Sequence, residues 1–187
     1  VLKDRIYYRR SGGGLTLSGG ECLCQPEFSA ALLRAAQESG LNTAIESTAC
    51  APMETIRRLL PYLDHYLMDI KHIDREKHKR FTTRDNDLIL QNAALLAKEA
   101  RHLVIRVPVV PGFNDTESEI AGIARFTAGI LPGGEIHLLP YHRLGTDKYR
   151  GLNREYTLSE ILPPPDEKMQ QLKAVVEGFG LRCQIGG

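Results

Sequence analysis

Short apolar runs alternate along the chain with amphipathic stretches, the pattern of a protein built from strand–helix units. Leu15 to Ser18 reads as a strand, closed by Gly19 and Gly20. Pro26 to Ser39 reads as a helix: Pro26 suits the first turn, Gly40 suits the position after the last, and Phe28, Leu32 and Ala36 recur every fourth residue. Thr43 to Ser47 is a second strand, with a helix near 53–60. Tyr66 to Ile70 is a third strand, followed by a charge-rich loop and a helix from about Asn86 to Ala100 with Leu90, Ala93 and Ala97 inward. Leu103 to Val110 is a fourth strand whose Val and Ile content suits cover on both faces; Pro108 removes a ladder donor and belongs near its end. Thr116 to Leu131 is helical and Glu135 to Leu139 is a fifth strand. A long loop, Pro140 to Pro165, leads to a last helix with Met169, Leu172, Val176 and Phe179 in one stripe. Gly180 ends it, and Leu181 to Ile185 is a sixth strand.

Alternating strand and helix implies a parallel sheet, either an incomplete barrel or an open doubly wound sheet. Length sharpens this. A complete eight-unit barrel averages about 250 residues, or ~31 per unit. A chain of 187 residues has room for roughly six such units. It is read as one domain over residues 1–187, with no linker and no repeat.

Composition adds mostly exclusions. Hydrophobic residues are 42% and charged residues 25%, the balance of a globular fold. A net charge of +1 gives no field for nucleic acid or a membrane surface. No apolar run reaches the ~20 residues that span a bilayer. The four cysteines, at 22, 24, 50 and 183, show no C-x-x-C spacing, so a reducing, cytoplasmic setting is expected.

In parallel α/β folds chemistry gathers at the carboxyl ends of the strands. Here those ends carry Gly19-Gly20-Glu21, Glu46-Ser47, Asp69-Ile70-Lys71, Arg106 with Pro111-Gly112, and Tyr141-His142. Tandem glycines let a ligand approach the backbone. Two acids and a lysine can hold a zwitterion such as an amino acid head group. Arg106 offers a planar fork, and His142 a donor, for a carboxylate. Asp69 and Lys71, two apart on a strand, share a face. His72, His78 and His102 read as solvated, as does the basic run Lys77, Lys79, Arg80. Cys22 and Cys24 read as small buried hydrophobes.

These strand ends also carry a resemblance. Tyr7 to Gly14 (Y-Y-R-R-S-G-G-G), T-L-S-G-G-E from Thr16, M-D-I-K from Met68, R-V-P-V-V-P-G-F-N-D from Arg106, L-L-P-Y-H-R-L-G from Leu138, Lys148-Tyr149 and Ile185-Gly186-Gly187 occur in order. The chain resembles the radical-SAM activating enzymes of glycyl radical enzymes, the pyruvate formate-lyase activase group. The resemblance implies an α/β fold, a partial (β/α)6 TIM-like radical-SAM barrel truncated at its N-terminus. It implies S-adenosylmethionine as cofactor, held by Gly19, Gly20 and Glu21 at the amino group. Asp69, Ile70 and Lys71 would hold the carboxylate and ribose region, and Arg106 and His142 would complete the pocket. Lys71, Arg106 and His142 are the catalytic candidates, and Glu46, Ser47 and Asp69 resemble a monovalent-cation site. In such enzymes a reduced [4Fe-4S] cluster passes one electron to the sulfonium, and the resulting 5′-deoxyadenosyl radical takes a hydrogen from a partner's glycine. The implied partners are a glycyl radical enzyme and a flavodoxin- or ferredoxin-type electron donor.

Several positions depart from the family. Its C-x-x-x-C-x-x-C motif, which binds the cluster, is not in this chain, so the first strand and cluster loop are expected upstream of Val1. Cys22 stands where the family has Pro, Cys24 where it has an apolar residue, Glu46 where some members have Asp, and Thr83 where Gly is usual. The expectations are no stable cluster, no activity alone, weak S-adenosylmethionine affinity and an exposed apolar edge at the first strand. The basic run would lie at the barrel rim, where it can dock the partner. Two other readings compete. One is a non-catalytic S-adenosylmethionine-binding or partner-docking remnant, which a stop codon and true start just before Val1 would favour. The other is a metal-independent lyase using Lys71 and Glu46, which borohydride trapping at Lys71 would reveal.

Overall fold

The computed structural model of the chain describes residues 2–142 and 161–186. Six strands, β1 (Gly14–Leu17), β2 (Asn42–Ser47), β3 (His65–Asp69), β4 (Leu103–Val109), β5 (Glu135–Pro140) and β6 (Arg182–Ile185), form one sheet. All neighbours are parallel and follow chain order, β1 to β6. A doubly wound sheet reverses its order part-way. This one does not, so it is the wall of a partial barrel, left open because β1 and β6 do not pair.

Seven helices accompany it among the described residues: α1 (Arg5–Ser11), α2 (Pro26–Glu38), α3 (Met53–Arg57), α4 (Arg75–Thr82), α5 (Asp87–Glu99), α6 (Glu117–Ile130) and α7 (Asp166–Glu177). Local chemistry sets their ends. Pro26 opens α2. At α6, Thr116 Oγ1 accepts from the Glu119 N–H while the Glu119 carboxylate accepts from the Thr116 N–H, a capping box.

The sheet has two unlike faces. One carries Ile45 and Tyr66, then Met68, Ile105 and Ile136, then Ile70, Val107 and Leu138, all 1% exposed or less. These join Leu33 of α2, Ile56 of α3, Leu96 of α5, Ile120 of α6 and Leu172 of α7 in a single core. The opposite face carries two rows in register, Glu46–Leu67–Val104–Glu135–Arg182 and Asp69–Arg106–His137–Gln184. A parallel sheet is ordinarily apolar on both sides. Here the side that a closed barrel would enclose is charged.

Five expectations change. The charge-rich segment after β3 is not a loop but holds α4, started by the Asp74 side chain accepting from the Lys77 N–H. Its basic residues therefore sit on a helix, where Lys77 pairs with Glu119 at 2.7 Å. His72 and His78 are buried, not solvated: His72 lies 3.4 Å from Glu119, and His78 lies 2.7 Å from the Arg84 carbonyl. In α2 the inward stripe is Ser29, Leu33 and Ala36, whereas Phe28 and Leu32 are exposed. They stand beside the free edge of β1, with Leu17 lining the same groove. Cys24 is exposed and Cys22 only half-buried, so neither is a core residue proper. Finally, α1 occupies part of the Tyr7 to Gly14 motif, which had no element assigned. Most of the Pro140 to Pro165 loop, with Lys148 and Tyr149, lies outside the described residues, as do Val1 and Gly187.

Candidate active site

At the carboxyl ends of β1 to β4 lies a cavity of about 280 Å³, lined by Ser18, Gly19, Gly20, Glu21, Glu46, Ser47, Thr48, Asp69, Lys71 and Arg106. Four strand ends thus deliver the residues that their sequence positions anticipated. Arg106 sits at the centre. Its Nη1 lies 2.6 Å from Glu46 Oε1, and its Nε and Nη2 both lie 2.9 Å from Asp69 Oδ1. Burial would lower the Arg106 pKa, but the two carboxylates more than offset it and hold the guanidinium charged.

The two acids respond differently to the same cation. Asp69 lies deeper, and burial raises its pKa against the pull of Arg106 and Lys71. Glu46 also feels burial, but the Ser18 hydroxyl at 2.6 Å and Arg106 draw its pKa below the ordinary value. Lys71 has no carboxylate within ion-pairing distance among the described residues, which leaves its ammonium for a ligand.

Glu21 bridges two loops. Its Oε1 accepts from Ser47 Oγ at 2.7 Å and the Leu23 N–H at 3.3 Å; its Oε2 accepts from Thr48 Oγ1 at 3.0 Å and the Thr48 N–H at 3.2 Å. Gly19 has a φ of +109°, which a side chain rarely adopts. Gly20 faces open space: a Cβ there would meet nothing within 4 Å. The bottom of the β2 loop is pinned by Asn92, whose Nδ2 donates to the carbonyls of Ala49 and Ala51. That clamp supports Ala49 at its left-handed φ of +55°.

The sequence pattern of the radical SAM superfamily matches residues 2–126, about two thirds of the chain. The chain belongs to the radical SAM superfamily. It is 48% identical over 187 residues to the isethionate sulfite-lyase activating enzyme of Desulfovibrio desulfuricans, spanning 99% of this chain and 60% of that protein. It is 40% identical to the indoleacetate decarboxylase activating enzyme of Tractidigestivibacter scatoligenes, spanning 99% of this chain and 58% of that protein. A solved domain of pyruvate-formate lyase-activating enzyme from Bacteroides vulgatus is 31% identical and superposes with a TM-score of 0.78, covering 94% of this chain and 99% of that domain. The chain therefore spans about 60% of the length of the curated relatives it matches.

Within this radical SAM wall, Gly19, Gly20, Glu21, Glu46, Ser47, Asp69, Lys71 and Arg106 meet at one cavity. Two candidates do not join them. The Ile70 side chain is in the core and its N–H donates to the Arg106 carbonyl, so it cannot contact a ligand through either. His142 follows β5, is exposed and does not line the cavity. The Glu46, Ser47 and Asp69 side chains do not converge on one point, because Ser47 Oγ is held by Glu21 while both acids hold Arg106. Among the described residues no three His, Cys, Asp or Glu side chains are placed to hold a metal.

The described cysteines do not fit an iron–sulfur cluster either. Burial, reinforced by neighbouring Glu21, pushes the Cys22 thiol up to about 12, and Cys24 stands exposed outside the cavity. The charged cavity does fit S-adenosylmethionine. It offers three carboxyl groups, two cations and an open glycine backbone to a ligand with an amino acid head group and a sulfonium. Ser18 and Thr48 are cavity residues that the strand-end reading missed, although Ser18 lies inside the T-L-S-G-G-E string.

Proposed function

We propose that this chain forms the S-adenosylmethionine-binding wall of an activating enzyme that installs a glycyl radical on a partner enzyme. The observation that carries the reading is the ordered charge in the cavity: three carboxyl groups against Arg106 and Lys71. An S-adenosylmethionine molecule brings an ammonium, a carboxylate and a sulfonium, one net positive charge, and the cavity carries the opposite excess. The Gly19–Gly20 backbone would take the ammonium, since a Cβ at either position would meet nothing within 4 Å and a ligand can approach it closely. Lys71 takes the carboxylate. Arg106, locked between Glu46 and Asp69, fixes both acids so that they do not repel each other while keeping the negative charge beside the ligand. Glu21 ties the glycine loop to the β2 loop, which keeps the cradle shaped before the ligand arrives.

When bound, S-adenosylmethionine supplies the radical chemistry; the residues here bind it and orient it. No step through an iron–sulfur cluster is assigned to these cysteines. The partner in this reading is a glycyl radical enzyme, with a flavodoxin- or ferredoxin-type electron donor. A reducing, cytoplasmic setting is in keeping with four free cysteines.

Gly20→Val tests the reading. The added side chain has room and so leaves the fold intact, but it fills the cavity mouth. Equilibrium dialysis with labelled S-adenosylmethionine should show weak binding by the wild type and a loss of at least about tenfold in the variant. Equal binding by both proteins would refute the assignment of the site.

A further inference from the structure

We infer that Asn114 is a positioning residue that sets where Lys71 stands in the site. The ladder between β3 and β4 runs up to Ile70, whose N–H donates to the Arg106 carbonyl at 2.9 Å. In a parallel ladder the next bond would come from the N–H of residue 108 to the Ile70 carbonyl. Residue 108 is Pro and has no N–H. The two strands lose their backbone tie at the level where Lys71 enters the cavity. The Asn114 carboxamide replaces it. Its Nδ2 donates to the Lys71 carbonyl at 2.7 Å and to the Pro108 carbonyl at 2.8 Å, and its Oδ1 accepts from the Val110 N–H at 2.8 Å. The residue is fully buried.

One side chain thus joins the two strand ends across the gap that a proline opens. Both donors are used on carbonyls of different strands, which only a carboxamide of this length can do while also accepting from Val110. The Lys71 backbone is thereby fixed relative to Arg106, two residues before Pro108 on β4. Asn114 lies outside the cavity lining and touches no ligand; it acts through Lys71.

The inference rests on the reading of the cavity as an S-adenosylmethionine site only for one of its two tests. Asn114→Asp is nearly isosteric and keeps the acceptor for Val110 while removing both donors and facing two carbonyls with a carboxylate. The first test is amide hydrogen exchange. Exchange at Ile70, whose N–H donates to the Arg106 carbonyl, should rise by about tenfold or more, with Val110 and core amides such as Ile45 unchanged. A uniform rise, or none, overturns the inference. The second is a cycle of S-adenosylhomocysteine binding across wild type, N114D, K71M and the double variant. N114D should weaken binding, and the double variant should bind no worse than K71M alone. Additive losses, or wild-type affinity in N114D, overturn it. If the wild type does not bind the probe, the reading of the site fails and the exchange data alone decide the role of Asn114. Should N114D not fold, Asn114→Ser takes its place in both tests, with core amides such as Ile45 as the unchanged reference, because Ser is too short to keep the bond from the Val110 N–H.

Discussion

Glu119 shows how much a single side chain can hold together. Its Oε1 receives Lys77 Nζ at 2.7 Å and faces His72 Nε2 at 3.4 Å, while its Oε2 accepts from Thr116. Burial alone would raise its pKa, but these partners pull it down to about 2. A carboxylate whose folded pKa lies below its unfolded value contributes stability above the unfolded value and loses it as pH falls. The window here runs from about 4.5 down to about 2. Glu119→Gln keeps the capping box and removes the charge. It should cost about 2 kcal/mol near neutral pH, after discounting for the exposed Lys77, and nothing near pH 2. Urea unfolding of both proteins across that range checks this; a difference that persists at pH 2 contradicts it. At this scale the sequence was a partial guide. Asp69, Lys71 and Arg106 were legible because strand ends in parallel folds converge. The burial of His72 and His78 was not, since their partners, Glu119 and the Arg84 carbonyl, are fixed by tertiary packing and not by neighbours in the pattern.

At the scale of elements, α4 is the instructive case. Its eight residues include four basic ones and little apolar character, so periodicity gave no helical stripe to read. The helix exists because Asp74 caps it and because His78 is anchored to the Arg84 carbonyl beyond its end. Thr83 then closes it at a φ of +68°, a left-handed position that disfavours a β-branched residue. The resemblance sets Gly at this position, and the left-handed φ is one that favours Gly. Its side chain is exposed. Thr83→Gly should therefore stabilise the protein by about 1 kcal/mol, a rise in thermal midpoint that calorimetry can read; a lower midpoint would show that Thr83 makes a contribution its conformation does not reveal. The strands were legible to within a residue or so, as their apolar runs are short and bounded by Gly, Pro or charge. The stripe of α2 was misread because Phe28 and Leu32 lie one position off the buried line through Ser29, Leu33 and Ala36.

For the whole molecule, the decisive feature is a parallel sheet with one apolar and one charged face. Apolar periodicity specifies the first; the second appears only when register aligns Glu46, Asp69, Arg106, His137 and Glu135 across four strands. Chain order of the strands turns that face into the wall of a barrel, and its carboxyl rim holds the cavity. No helix among the described residues is long and apolar enough to cross a membrane. In the proposed function this rim, and no other part of the charged face, takes S-adenosylmethionine. The competing location is the opposite end of the same face, where His65 and His102 meet at 2.7 Å between ring nitrogens. Backbone amide chemical-shift mapping during titration with S-adenosylmethionine separates the two. Shifts concentrated at Gly19, Gly20, Glu46, Thr48, Asp69 and Lys71 are the expected result; shifts gathered around His65 and His102, or none at all, would contradict it.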